Sequence, residues 1–225
     1  MKKKIIKAFC TMLSIVSISE STVYAKDLPI HAQPYPMDTT QAVSSDKNII
    51  IDGTCYNGEY QDIMMYWDRI PQNIKDSYFA AGGKIVITDD LQRTTGIRVD
   101  YPTASIYGFY DPKTHEIDFD WSWWYNHDSI CHEIGHYVDN VMGRPSQTPV
   151  FTALFKKYRQ VSAYSGESQK EYFAQSFANV INEPEKYAKE KPDLYAAIMN
   201  TIADFGTVNY TSGLNVSQSK LLNNK

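Results

Sequence analysis

The sequence predicts an α+β fold: an N-terminal mixed sheet with helices, then an all-helical C-terminal part. Three observations carry this. Four short apolar or alternating runs, each bounded by turn residues, fall between Asn48 and Trp121. After His127 every apolar pattern has helical rather than strand spacing. No internal repeat or low-complexity tract points to an array.

Taken in order, Lys26 to Lys47 holds Pro29, Pro34 and Pro36 among Ser, Thr and Gln without periodicity, and reads as an extended arm. Asn48–Ile51 is a short strand. Glu59–Ala81 reads as two helices broken at Pro71, which suits the first position of the second. Gly82-Gly83 leads into a strand over Lys84–Thr88, and a turn-rich loop from Asp89 to Thr103 precedes a strand over Ser105–Tyr110. Asp111-Pro112-Lys113-Thr114 turns the chain into Glu116–Trp121, where Ile117, Phe119 and Trp121 alternate on one face. The cluster Trp121, Trp123, Trp124, Tyr125 reads as core material. The later helices are a segment around residues 130–141, Pro149 to Val161, Gln169 to Ile181, Glu185–Lys189 and Pro192–Phe205; the polar tail from Val208 frays.

The first 25 residues have the form of a secretory signal. Lys2, Lys3, Lys4 and Lys7 precede an apolar stretch from Ala8 to Ile18, and Val23-Tyr24-Ala25 offers a cleavage site. That stretch is too short to span a membrane, and the C-terminal Leu221-Leu222-Asn223-Asn224-Lys225 carries no anchor. Cleavage leaves 200 residues, with 26–47 as the arm and 48–225 as one domain. Losing four Lys and one Glu moves the formal charge from −4 to −7, which disfavours nucleic acid and anionic membranes as partners. A secreted, extracellular monomer is expected. Cys55 and Cys131 remain after cleavage and are either a disulfide or two buried small hydrophobes. His31, His115 and His127 have no matching partners and are taken as structural or exposed.

The helix around residues 130–141 carries the chemistry. Ile130, Ile134, Val138 and Val141 form one apolar stripe, Asn126 or Asp128 can cap its start, and Gly143 suits a left-handed stop. Within it stands His132-Glu133-Ile134-Gly135-His136, an H-E-x-x-H pattern. Histidines four apart lie about 40° apart around a helix and one turn apart along it, so both imidazoles can reach one metal ion. Glu133 points beside that metal and can act as base on a water. The pattern reads as a zinc hydrolase. Gly135 is unfavourable mid-helix by about 1 kcal/mol relative to Ala, which suggests close packing against another backbone. Cys131 points away from His132 on the helix and is not taken as a ligand.

A catalytic zinc needs a third protein ligand. Asp139 is better placed to orient an imidazole than to bind the ion itself, since a straight helix cannot easily wrap three groups around one metal. The Asp at 139 and Met at 142 also exclude the metzincin pattern. Glu171, on a helix with apolar faces 35 residues beyond His136, is the better ligand, with Ala174 leaving room for the motif helix. Glu167 is the weaker alternative.

The segments His-Glu-Ile-Gly-His-Tyr-Val-Asp-Asn (132–140) and Tyr-Ser-Gly-Glu-Ser-Gln-Lys-Glu-Tyr-Phe-Ala-Gln-Ser-Phe (164–177) resemble the protease domain of anthrax lethal factor. They are also similar to the secreted Pro-Pro endopeptidases of clostridia and bacilli. The resemblance implies a zincin-like metalloprotease of the gluzincin type, with Zn²⁺ on His132, His136 and Glu171, and Glu133 as general base. It also implies that Tyr164 assists through its hydroxyl, and that an extended protein or peptide substrate lies along the Ser105–Tyr110 edge strand. Two positions depart from the Pro-Pro enzymes. Lys170 stands where they carry an acidic residue, and the loop from Arg93 to Thr103 offers Tyr101-Pro102 and no Trp. Cleavage near proline without a strict Pro-Pro requirement is the resulting expectation. The competing reading is a non-enzymatic, toxin-type domain that docks onto a partner protein, which the intact motif argues against.

Overall fold

Four short runs carrying β-branched and aromatic residues form one sheet. Its strands are β1 (Ile49–Asp52), β2 (Lys84–Thr88), β3 (Gly108–Asp111) and β4 (Glu116–Asp120), in the order β1-β2-β4-β3. β1 pairs with β2, and β2 with β4, in parallel, whereas β3 runs antiparallel to β4 with Gly108 opposite Phe119. The mixture follows from the connections. A tight turn through residues 112–115 can only return the chain antiparallel, while the parallel pairs need crossovers. The computed structural model describes residues 38, 40–96, 108–121, 129–158 and 168–206, all within the unit Asp38–Lys225. The signal-like segment, residues 105–107, Asn126, Asp128, His31, His127, Trp123, Trp124, Tyr125 and the tail from Val208 lie outside them.

Helices α1 (Asn57–Arg69) and α2 (Gln72–Ala80) cross from β1 to β2. Ile70 is extended because a residue before proline is steered out of the helical region. Pro71 then caps α2, one position earlier than expected. Ile63, Trp67, Ile74 and Tyr78 face the core. A short helix, α3 (Leu91–Thr95), interrupts the stretch read as loop. The Asp90 carboxylate accepts the Arg93 N–H at 3.0 Å and starts this turn, which is too short to leave a periodic signature. Arg93 in turn bridges Asp52 and Asp89, joining the ends of β1 and β2.

The rest is helical, as expected: α4 (Ser129–Val141), a 3₁₀ turn (Pro145–Gln147), α5 (Pro149–Tyr158), α6 (Gln169–Asn182), α7 (Pro184–Glu190) and α8 (Pro192–Asp204). Proline opens α7 and α8, where its missing N–H costs nothing. α4 lies between β3 and β4 on one side and α6 on the other. Burial is therefore not confined to the apolar stripe; every residue from Ile130 to Asp139 is buried. Gly143 does adopt a left-handed conformation beyond the helix end, and Arg144 follows it there.

Three local readings are sharpened. Ala42 is buried, its N–H bonds to the Cys55 carbonyl at 2.8 Å, and Gln41 bridges Tyr56; the last part of the arm is packed on the domain. Cys55 and Cys131 are buried thiols not joined in a disulfide, and burial pushes the Cys55 thiol up to about 12. His115 is structural: it turns the β3–β4 connection with φ +57° and holds the Tyr110 hydroxyl at 2.7 Å. Among the described residues no helix is long and apolar enough to cross a membrane.

β4 departs from simple alternation. Ile117 and Phe119 enter the core, and Asp118 and Asp120 on the opposite face are buried too. α3 packs on β4 and Thr94 hydrogen-bonds Asp118, yet Asp118 Oδ1 has no partner among the described residues. Burial, then the charge of Glu116, raises the Asp118 carboxyl from 3.8 to about 6. An acid whose pKa is raised by folding holds its proton more tightly in the native state. Its contribution to stability is therefore fully present below about pH 4 and lost as pH rises through about 6. Asp118→Asn should exceed the wild type in stability at pH 7–8 by up to about 3 kcal/mol, and the gap should close toward pH 4. Urea denaturation midpoints across that range check this.

Candidate metal centre

α4 sets His132 and His136 one turn apart, with ring centroids 4.7 Å from each other and planes at 85°. The third group arrives on α6. Ser168 caps this helix, its hydroxyl accepting the Glu171 N–H at 3.1 Å. In an ordinary capping box the Glu at this position bends back to the Ser N–H. Here Glu171 reaches across instead, and its Oε2 lies 3.2 Å from both His132 Nε2 and His136 Nε2. All three donor atoms fall within 4.8 Å of one another. A tetrahedral ion bound at about 2.0–2.1 Å requires donors roughly 3.3 Å apart, so the His–Glu spacing fits a bound divalent metal. The donor chemistry, two imidazole nitrogens and one carboxylate, fits as well.

What brings the helices this close is Gly135. A Cβ at that position would lie 2.8 Å from Ala174 Cα and 2.9 Å from its carbonyl oxygen. The backbones of α4 and α6 are thus in direct contact, as the mid-helix glycine and Ala174 suggested. The electrostatics are those of a tight ion pair. Burial alone would raise the Glu171 carboxyl, but both imidazoles hydrogen-bond it and hold it well below the usual carboxylate range. Burial alone would lower His132, and Glu171, Glu133 and Gln175 together outweigh that and raise it. Metal binding to such a set needs neutral imidazoles and an ionised carboxylate, so a divalent cation would compete with protons here.

Glu133 is buried at 5 % exposure and stands outside this donor set, against the backbone of Gly108 in β3. Cys131 also stands apart, its thiol directed at the Tyr66 carbonyl at 3.5 Å. Asp139 is placed differently from the expectation. Its two carboxylate oxygens accept from the Ser146 N–H and hydroxyl, both at 2.8 Å, and so pin the 3₁₀ turn to the end of α4. His136 Nδ1 is buried without a hydrogen-bond partner among the described residues. One contributor escaped the sequence reading: Gln175 hydrogen-bonds His132. Its position one turn beyond Glu171 on the same helix face was the available signal. Tyr164, Glu167, Tyr101 and Pro102 lie outside the described residues.

Fold and site together define an α+β protein whose His-His-Glu set, with both histidines buried, could hold a metal ion. No family model matches the chain, and no curated protein matches it. Among solved structures the chain is similar to the Pro-Pro endopeptidase PPEP-2 from Paenibacillus alvei, with a TM-score of 0.55 and 18% identity over 68% of this chain and 97% of that one. At that identity the likeness is one of fold.

Gly135→Ala should test the helix contact. The methyl improves helix propensity by about 1 kcal/mol, but it meets backbone that cannot swing aside, and overpacking of this kind costs about 1–3 kcal/mol. A lower melting temperature with weaker metal retention in a chelator competition is the expected result.

Proposed function

We propose that this chain is an exported zinc metalloendopeptidase that hydrolyses a peptide bond within an extended protein segment. The observation that carries the reading is the convergence of His132, His136 and Glu171 with Glu133 buried alongside. The fold likeness to a Pro-Pro endopeptidase supports it, as does the wording of both motifs, which resembles the lethal factor protease domain. Export rests on the signal-like pattern of the first 25 residues. A docking module would have no use for three donors, two of them buried histidines, converging on one point.

His132, His136 and Glu171 would hold the zinc, leaving one position open. Bound zinc would supply Lewis acidity, making a water more acidic and polarising the scissile carbonyl. Glu133 takes the proton of the attacking water and returns it to the leaving amine. The Tyr164 hydroxyl, carried over by resemblance, donates a hydrogen bond to the developing oxyanion. β3 pairs with β4 on one side only among the described strands. Its other edge can align an extended peptide through main-chain hydrogen bonds.

Protein purified without chelator should contain one zinc per chain by elemental analysis. Glu133→Gln should keep that zinc and lose turnover, while Tyr164→Phe should lower kcat by roughly 10²-fold with zinc unchanged. A protein that stays metal-free after zinc is offered back would overturn the assignment.

Specificity follows from the exposed Lys170 and the loop bearing Tyr101-Pro102. Substrates should carry proline near the scissile bond without requiring it on both sides. Basic residues upstream should help, in a salt-sensitive way, because the mature chain has a formal charge of −7. Mass-spectrometric profiling of an unbiased peptide library, at low and high salt, decides this; strict Pro-Pro cleavage would refute it.

A further inference from the structure

We infer that Gly108 is a positioning residue for Glu133: its missing side chain is the space in which the base's carboxylate rests. This deepens the peptidase reading and rests on it. Gly108 lies in β3, paired with Phe119 in regular antiparallel register. No bulge or left-handed conformation at this residue calls for glycine. A glycine inside a strand weakens it and marks a close approach. The approach is to Glu133. A Cβ at 108 would lie 2.8 Å from Glu133 Oε1, 2.9 Å from Cγ and 3.2 Å from Cδ. Carbon atoms in contact sit about 3.5–4.0 Å apart, so the added methyl and the glutamate cannot both keep their places.

Which of them yields separates this glycine from Gly135. The methyl at 135 would strike backbone, which cannot move without shifting a helix. The methyl at 108 would strike a glutamate side chain, which can rotate away at little cost to the fold. Gly108→Ala therefore spares stability and the metal donors, and moves only the carboxylate that must handle the proton. A displacement approaching 1 Å at a reacting group costs about 10²-fold in rate. The strand thus sets the position of the base as well as offering its outer edge.

The test uses the full-length, zinc-loaded chain. Gly108→Ala should retain zinc, melting temperature and KM while kcat falls by about 10²-fold. Adding the same change to Glu133→Ala, which removes the Cγ, Cδ and Oε1 atoms that the methyl would meet, should lower the residual kcat far less than it does in the wild-type background. Equal losses in both backgrounds, loss of zinc or melting temperature along with kcat, or full retention of kcat would each overturn the inference. A crystal structure of zinc-loaded Gly108→Ala adds a readout independent of turnover. The Glu133 carboxylate should be displaced while His132, His136 and Glu171 superpose on the wild type. A carboxylate that stays in place refutes the positioning role. Displacement in a protein whose wild type cleaves no peptide upholds it and refutes the peptidase reading.

Discussion

The backbone contact between Gly135 and Ala174 is the constraint on which the rest depends. Two helices ordinarily pack with axes 8–10 Å apart, the distance being set by their side chains. With no side chain at 135 and a methyl at 174, the backbones of α4 and α6 come into direct contact. Only then can a residue as short as glutamate reach both imidazoles of the neighbouring helix. The 3.2 Å separations at Glu171 Oε2 are the outcome. The glycine lies between the two histidines, where widening the gap would pull Glu171 away from both.

Burying so many ionisable groups in one helix would be prohibitive if each stood alone. α4 carries His132, Glu133, His136 and Asp139, none of them more than 8 % exposed. The arrangement distributes the cost. Glu171 Oε2 meets the Nε2 atoms of both histidines at 3.2 Å across the helix interface. Asp139 accepts two hydrogen bonds from Ser146, so its charge is met by the chain that follows the helix. Glu133 is the member held by shape, in the gap left by Gly108.

Much of this could be read from sequence because the informative residues are local. Histidine spacing on one helix, a mid-helix glycine, the prolines opening α7 and α8, and the strand runs are all patterns within a few residues of chain. The convergence of Glu171 on the two histidines was legible only with help. On its own it follows Ser168 as a common capping box, and nothing within α6 tells that its side chain turns to another helix. Asp139 shows the same limit from the other side. Its position one turn beyond His136 suggested an imidazole, yet the chain after Gly143 doubles back and offers Ser146 first. α3 was missed because one capped turn carries no period. The burial of Asp118 was missed because covering both faces of a strand is decided by the layer above it. Gly108 looked like an ordinary strand residue, since what it makes room for lies 25 residues away.

The edge strand and the motif helix are tied together at their far end as well. β3 leaves through the turn that His115 closes, and there the Tyr110 hydroxyl meets His115 Nδ1 at 2.7 Å and receives the Asn140 amide at 3.4 Å. Tyr137, one turn beyond Glu133 on α4, stacks edge-on against both Tyr110 and His115, at 6.0 and 5.7 Å. β3 is thus fastened to α4 at two points, by this aromatic and polar cluster and by the Gly108–Glu133 contact. Had the strand been parallel, its chain would leave by a long crossover and lack the tight turn that supplies His115. The antiparallel edge therefore does more than expose hydrogen-bonding groups. It packs the edge strand, the helix that carries Glu133, and the donors that could hold a metal into one assembly.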